Sequence, residues 1–319
     1  MRISIIAVND VFDTGLATLT DAFTTANELA EVTALTSLRF QVSIVGLRKS
    51  VKTAQGLAVP VQAPTRTAPE CVIVPAIGFK MPDTLEPSLA RPEIEDATLL
   101  LQRWARGGAT MASACVGTFI MAEAGLLDHH ESTTTWWLAP FFRGRYPNVR
   151  LDETRMLIKS GSVVTAGAAL GHMDLALWLI RQKSPELAAL TARYLIVDSR
   201  PSQAAYVLTD HLMHSDPMVE HFERWVRGRL ATGFSLADAA RSVGASARTL
   251  ERRIRLILGR SPLSYFQDLR VERAVHLLRT TNKSVEAIAS LVGYADGVTL
   301  RTLLRRKLGK GVKEIRRFQ

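Results

Sequence analysis

Cysteine is nearly absent from this chain: 319 residues hold two, Cys71 and Cys115, both in apolar surroundings and without Cys-x-x-Cys spacing. That argues against a disulfide framework and a cysteine-built zinc site, and it suits a reducing cytoplasm. Long hydrophobic runs are also missing. The opening Met1-Arg2-Ile3-Ser4-Ile5-Ile6-Ala7-Val8 is a strand's length of apolar sequence, too short for a signal peptide core, and no stretch is long enough to span a membrane. Low-complexity sequence is lacking too, and 47% hydrophobic content with mean hydropathy of +0.08 predicts ordinary globular cores.

Acidic residues are scarce, 30 against 40 basic ones, but the deficit is local. From Glu220 to Gln319 there are 21 Lys and Arg against 9 Asp and Glu, a net +12, whereas the preceding part carries −2. A neutral body joined to a basic tail fits a nucleic-acid module, because neutralising phosphates supplies most non-specific affinity for DNA. The same charge also suits a merely solvated basic face.

The tail contains a repeat. Ala240-Arg241-Ser242-Val243-Gly244 returns 49 residues later as Ala289-Ser290-Leu291-Val292-Gly293, each copy after a Ser-apolar opening, Ser235-Leu236 and Ser284-Val285. Ser235 with Asp238 forms a capping signal, Ala239, Ala240 and Val243 an inward stripe, and Gly244 a turn. A second helix follows each turn. In the first, Leu250 and Ile254 face inward and Arg248, Thr249 and Arg252 face out; in the second, Leu300, Leu303 and Leu304 face inward and Val298, Arg301, Thr302 and Arg305 face out. Two helix-turn-helix units with outward arginines predict paired recognition helices for the major groove. Between them, Pro262 opens a helix of about 25 Å at 1.5 Å per residue, a strut able to space the two heads near one duplex repeat.

The first two hundred residues alternate short apolar runs with helical patterns, the rhythm of a parallel α/β sheet. Strands are predicted at Ile3 to Val8, Phe40 to Leu47, Cys71 to Pro75, Thr110 to Ala114 and Ser162 to Thr165. The densest signal is Ser113-Ala114-Cys115-Val116-Gly117, a strand end, small neighbours and a following helix. This suits a nucleophile elbow, where Cys115 would gain thiolate character from the helix N-terminus; a buried structural cysteine is the commoner meaning of such a lone residue at a strand end.

Residues Cys115 to Asp128, Thr133-Thr134-Thr135-Trp136-Trp137, Phe23 to Asn27 and Thr165 to Leu177 resemble the DJ-1/PfpI-like domain of the glutamine-amidotransferase superfamily. In particular they are similar to the version joined to AraC-type helix-turn-helix domains in GlxA-like transcriptional regulators. The tail segments Gly259 to Gln267 and Arg270-Val271-Glu272-Arg273-Ala274 are similar to the AraC-type domain. Leu300 and Leu304 stand where that family usually has Phe, which implies a less tightly packed second unit.

The resemblance implies a flavodoxin-like, DJ-1/PfpI-type parallel sheet over residues 1–200, a linker over 201–216 and an all-α DNA-binding domain with two helix-turn-helix units over 217–319. Its enzymatic members pair the elbow cysteine with a histidine, and Thr135 occupies that histidine's position. A threonine is no base near neutral pH, so the reading is a sensor without catalysis. Asp13, on the loop expected after the first strand, would join Cys115, Thr135, Trp136 and Trp137 around an effector cleft. A carboxylate beside aromatic faces suits a cationic or amine-bearing effector, an amino acid or quaternary amine as the resemblance implies. A homodimer is expected, with double-stranded DNA as partner and no cofactor, metal or membrane. His211 and His214, at i, i+3 spacing, with His221 beyond, read as polar helix surface. The alternative is a cysteine-dependent hydrolase or glyoxalase-like enzyme using Cys115, its tail serving only to localise it on DNA.

Overall fold

Successive strands of the first part of the chain are joined by helices long enough to cross a sheet face, which forces parallel pairing and burial on both sides. The computed structural model describes residues 1–198, 202, 203, 212, 214, 216–309 and 311–316. It divides into two compact units, Met1–Gln203 and Ala204–Gln319.

In chain order the first unit contains β1 (Arg2–Ala7), α1 (Asp13–Thr33), β2 (Gln41–Gly46), β3 (Val51–Lys52), β4 (Ala58–Val59) and β5 (Cys71–Val74). There follow α2 (Pro82–Leu89), α3 (Pro92–Arg106), β6 (Thr110–Ala114), α4 (Gly117–Glu123), β7 (Glu131–Ser132), α5 (Ala139–Arg145) and β8 (Arg150–Leu151). β9 (Leu157–Ser160), β10 (Val163–Ala166), α6 (Gly171–Lys183) and α7 (Pro185–Tyr194) complete it. The main sheet runs β2-β1-β5-β6-β10-β9, all neighbours parallel except the antiparallel edge pair β9 and β10. Without that edge strand the order is flavodoxin-like, and its connections reverse direction between β1 and β5, where such sheets open a cleft at the strands' carboxyl ends. β5 and β10 are buried at every residue, which accounts for their lack of polar alternation.

The second unit is all helical: α8 (Pro217–Arg227), α9 (Leu236–Ser242), α10 (Ala247–Leu258), α11 (Pro262–Thr280), α12 (Val285–Leu291), α13 (Gly297–Leu308) and α14 (Val312–Arg316). Helices α8 to α13 begin at side-chain caps. Asp216, Ser235, Ser246, Ser261, Ser284 and Asp296 each accept the amide three residues on, worth about 1 kcal/mol apiece. Helices α9 with α10 and α12 with α13 form the two helix-turn-helix heads. Their turns hold Gly244 and Gly293 at φ of 67° and 79°, a region that a side chain disfavours. Leu250, Ile254 and Leu258 bury one stripe of α10, and Leu300, Leu303 and Leu304 one stripe of α13. Leu300 and Leu304 are fully enclosed with Ile288, Ala289, Val292 and Ile315, so leucine fills the positions at which looser packing was expected.

Helix α11 ties the heads together through two charged side chains. The Asp268 carboxylate accepts from Arg260, just after α10, at 2.8 Å and from Lys307 on α13 at 2.5 Å. Two residues along, Arg270 Nε donates to the Leu230 carbonyl before α9 at 2.8 Å, while its guanidinium lies 4.3 Å from the Phe266 ring centroid and 5.1 Å from that of Tyr294. A side chain on Gly293 would run into that guanidinium and the Leu230 carbonyl, so the second turn closes directly on this clamp.

Asp268→Asn removes the negative charge from between two largely buried cations. The expected cost is roughly 1–3 kcal/mol in urea unfolding followed by helical circular dichroism, and much less once Arg260 and Lys307 are both replaced by Met; equal stability of wild type and Asp268→Asn would show that the bridge does not couple the heads.

Candidate functional site

The cleft of the first unit is assembled where β1, β5 and β6 end. Cys115 follows β6 and adopts φ of 55°, the strained turn expected of an elbow. It is pinned from both sides: its amide donates to the Ala166 carbonyl at 2.8 Å, and its carbonyl accepts from Thr134 Oγ1 at 2.9 Å. Two residues on, a Cβ at Gly117 would lie 2.3 Å from the Val74 carbonyl oxygen, so α4 can leave the turn only across a glycine.

The elbow geometry does not activate the thiol. Cys115 is 4% exposed, and burial pushes its pKa up to about 12, against the opposing pull of the Val116 amide, the Thr135 hydroxyl and the Lys80 charge. The expected thiolate character is therefore corrected: desolvation outweighs the helix N-terminus, and the sulfur is a neutral thiol near pH 7. Thr135 is completely buried beside it, and its hydroxyl has no well-directed hydrogen bond.

Trp136 and Trp137 begin a short 3-10 turn after Thr135 and are both half-buried rather than core. Their rings meet edge to face at 5.5 Å, and Trp137 Nε1 donates to the Lys80 carbonyl at 3.1 Å, fixing the loop that carries Lys80. Asp13 is the first residue of α1 and not a loop residue as expected; its carboxylate stabilises the positive helix end. One oxygen accepts from the Gln55 amide at 3.2 Å, and the other is buried without a partner. The structure brings Cys115, Thr135, Trp136, Trp137 and Lys80 together. Asp13 follows Phe12, whose amide donates to the Ala76 carbonyl just beyond β5 at 2.8 Å.

Two residues of this region carry no pattern that identifies them in sequence. His172, at the start of α6, is wholly buried and fills the space a side chain on Gly15 would take. Its Nε2 accepts from the Ala76 amide at 3.1 Å and its Nδ1 donates to the Ala169 carbonyl at 2.6 Å. Both ring nitrogens are committed, and burial lowers its pKa to about 4, so it is a neutral strut and not a base for Cys115. Gln203, the last residue of this unit, sends Nε2 to Thr133 Oγ1 at 3.1 Å, the Thr134 carbonyl at 2.8 Å and the Arg155 carbonyl at 3.2 Å. The Thr133–Thr135 segment thus joins the elbow to the end of the unit.

On the second unit, Arg248, Arg252, Val298, Arg301, Thr302 and Arg305 are exposed, and Thr249 is half-buried. Thr249 shares a hydrogen bond with the Ser246 cap at 2.8 Å, and Arg301 pairs with Glu286 at 2.9 Å. Arg248, Arg252 and Arg305 form no ion pair with any described residue and are free to meet an anion. His211 lies outside the described residues. His214 is buried at 3.4 Å from Glu223, not on a polar helix surface, and no metal-binding cluster occurs among the described residues. No helix there is long and apolar enough to cross a membrane.

A helix-turn-helix domain family matches residues 239–317. The chain is 27% identical over 255 residues to the HTH-type transcriptional regulator GbdR of Pseudomonas aeruginosa, covering 78% of this chain and 66% of that protein. It is 23% identical over 226 residues to the HTH-type transcriptional regulator GlxA of Rhizobium meliloti, 68% of each chain. The chain is thus similar to two helix-turn-helix transcriptional regulators along most of its length. It spans about two thirds of the length of these relatives. An AraC family transcriptional regulator from Pseudomonas putida shares the fold at 21% identity and a TM-score of 0.50, over 61% of this chain and 98% of that one. The architecture is a flavodoxin-like α/β unit followed by a helical unit with two helix-turn-helix heads.

The buried His172 makes stability depend on pH. Between pH 6.5 and about 4 the unfolded imidazole binds a proton that the folded one refuses, so stability is full above 6.5 and falls on acidification, by roughly 3 kcal/mol for this group. Urea unfolding from pH 7 to 4 should show this slope in wild type and lose it in His172→Gln; an unchanged slope would remove the assignment.

Proposed function

We propose that the chain is a DNA-binding transcriptional regulator whose first unit senses a small metabolite. The observation that carries this reading is the pair of capped helix-turn-helix heads, each with an exposed recognition helix, in a unit that holds the chain's excess of positive charge. The working division is 1–200 for sensing, 201–216 for the linker and 217–319 for DNA, in a homodimer in the cytoplasm.

The effector fits the cleft bordered by Asp13, Cys115, Thr135, Trp136 and Trp137. The unpartnered oxygen of Asp13 and the tryptophan faces favour a cationic or amine-bearing metabolite. Binding there changes regulation only if it favours one of two arrangements of the protein. The Thr134 to Gln203 bond offers a route for that bias from the elbow to the linker.

The first unit acts without catalysis in this reading. A thiol held neutral by burial, with Thr135 and not a histidine beside it, supports a binding role. The strained turn at Cys115 is the one feature that favours the rival cysteine-dependent hydrolase or glyoxalase-like enzyme.

The test is a gel-shift assay with genomic fragments and a metabolite panel. Arg252→Ala should weaken specific binding by roughly 1–3 kcal/mol, Trp136→Ala should abolish the metabolite's effect, and Cys115→Ala should leave DNA binding intact. Unchanged shifts with Arg252→Ala would assign it no contact, and turnover lost with Cys115→Ala would favour the enzyme.

A further inference from the structure

The two heads present different chemistry at the same helical positions. Counted from the capping residues Ser246 and Asp296, Arg248 on α10 corresponds to Val298 on α13, and Arg252 to Thr302. Arg301 and Arg305 correspond instead to Glu251 and Arg255. The outward arginine pairs of the two repeats are therefore out of register, and the first and second heads are not copies of one reader.

Positions two and six after the cap lie one turn apart on the outward face, in the N-terminal part of the helix that reaches base edges in helix-turn-helix proteins. In the first head both positions carry guanidinium groups that pair with no acidic side chain among the described residues. In the second, Val298 is 67% exposed, and the Thr302 hydroxyl donates back to the Val298 carbonyl at 3.1 Å, so its proton is used within the helix and its methyl and acceptor lone pairs remain. The neighbouring arginine, Arg301, is held by Glu286. Val298 and Thr302 border a groove of about 360 Å³ that is mainly apolar, floored by Leu303 and Tyr294 and edged by Arg306.

An apolar pair on a cationic recognition surface needs an apolar partner that arrives with negative charge around it. Duplex DNA offers one: the thymine C5 methyl lies in the major groove, flanked by phosphates that Arg305 and Arg306 could meet. Guanine, with two acceptors, is the matching target for Arg248 and Arg252.

Resting on the DNA-binding reading above, we infer that the chain reads an asymmetric site, the first head taking guanine through Arg248 and Arg252 and the second taking thymine methyl groups through Val298 and Thr302. Such a site has one G-containing half and one T-rich half about one helical turn apart.

The experiment is selection of duplexes from a random library with the full chain, followed by binding measurements on the selected site. Uracil in place of thymine in the second half should weaken wild-type binding about fourfold per methyl contacted, and 7-deazaguanine in the first half should weaken it as well. The double change Val298→Ser with Thr302→Ser should lose the sensitivity to uracil while keeping that to 7-deazaguanine. The exposed double change Val298→Arg with Thr302→Arg should shift the second half toward guanine. Specific binding indifferent to uracil, or a second half that already requires guanine in wild type, would overturn this inference and leave the regulator reading standing. Failure to select any sequence would overturn both.

Discussion

A single carboxylate, Asp268, lies between a cation that follows the first recognition helix and a cation carried by the second. Each head is small: α9 and α12 are seven residues long, and their buried faces consist mainly of alanine, valine and isoleucine. Neither head encloses enough apolar surface to be rigid by itself, since each large aliphatic side chain contributes only about 1.5–3 kcal/mol on burial. What fixes their spacing is α11, 19 residues and roughly 28 Å long, whose Val271, Ala274, Leu277 and Leu278 enter the core of the second head and whose Asp268 and Arg270 add polar attachments. Arg270 adds the constraint that rotation matters as well as distance, because its guanidinium is sandwiched by Phe266 and Tyr294 while its Nε is bound to the Leu230 carbonyl.

The first unit solves a different problem. Its sheet brings loops together without making the elbow reactive, and the outcome turns on desolvation against local dipoles. Cys115 has the backbone turn, the small neighbours and the helix behind it, yet its sulfur is sealed off and the group beside it is a hydroxyl. The nearby imidazole is consumed by two backbone partners. Around them stand a half-buried pair of tryptophans, a lysine-bearing loop and a buried, unsatisfied carboxylate oxygen of Asp13.

The second unit was largely legible because its determinants are local. Serine and aspartate caps, glycine turns and i, i+4 aliphatic stripes each act within a few residues, so α9 to α13 follow directly from the sequence. The recognition-helix register was harder, since the second turn, Gly293-Tyr294-Ala295-Asp296, is one residue longer than Gly244-Ala245-Ser246 and shifts the arginines, so that the cap position aligns the two heads. In the first unit, runs such as Cys71 to Val74 announced their strands because burial on both faces demands continuous apolar sequence. The edge strand β9 did not, although Ser160-Gly161-Ser162 is a hairpin turn signal, because Leu157-Ile158-Lys159-Ser160 is too short and mixed to show a period. Asp13 reads as loop because α1 starts without a side-chain cap. His172 and Gln203 act through contacts 96 and 69 residues away in sequence, which no local pattern encodes.

The claim on which the account rests is that α11 holds the two recognition helices as one rigid reader. The most direct measurement is affinity for a selected duplex against the same duplex with five base pairs inserted between its halves, which turns one half to the opposite face. A rigid reader loses most of its specific affinity and does not regain it when the insertion reaches ten base pairs, because the strut cannot lengthen. Affinity that is unchanged by five base pairs, or fully restored at ten, would contradict it.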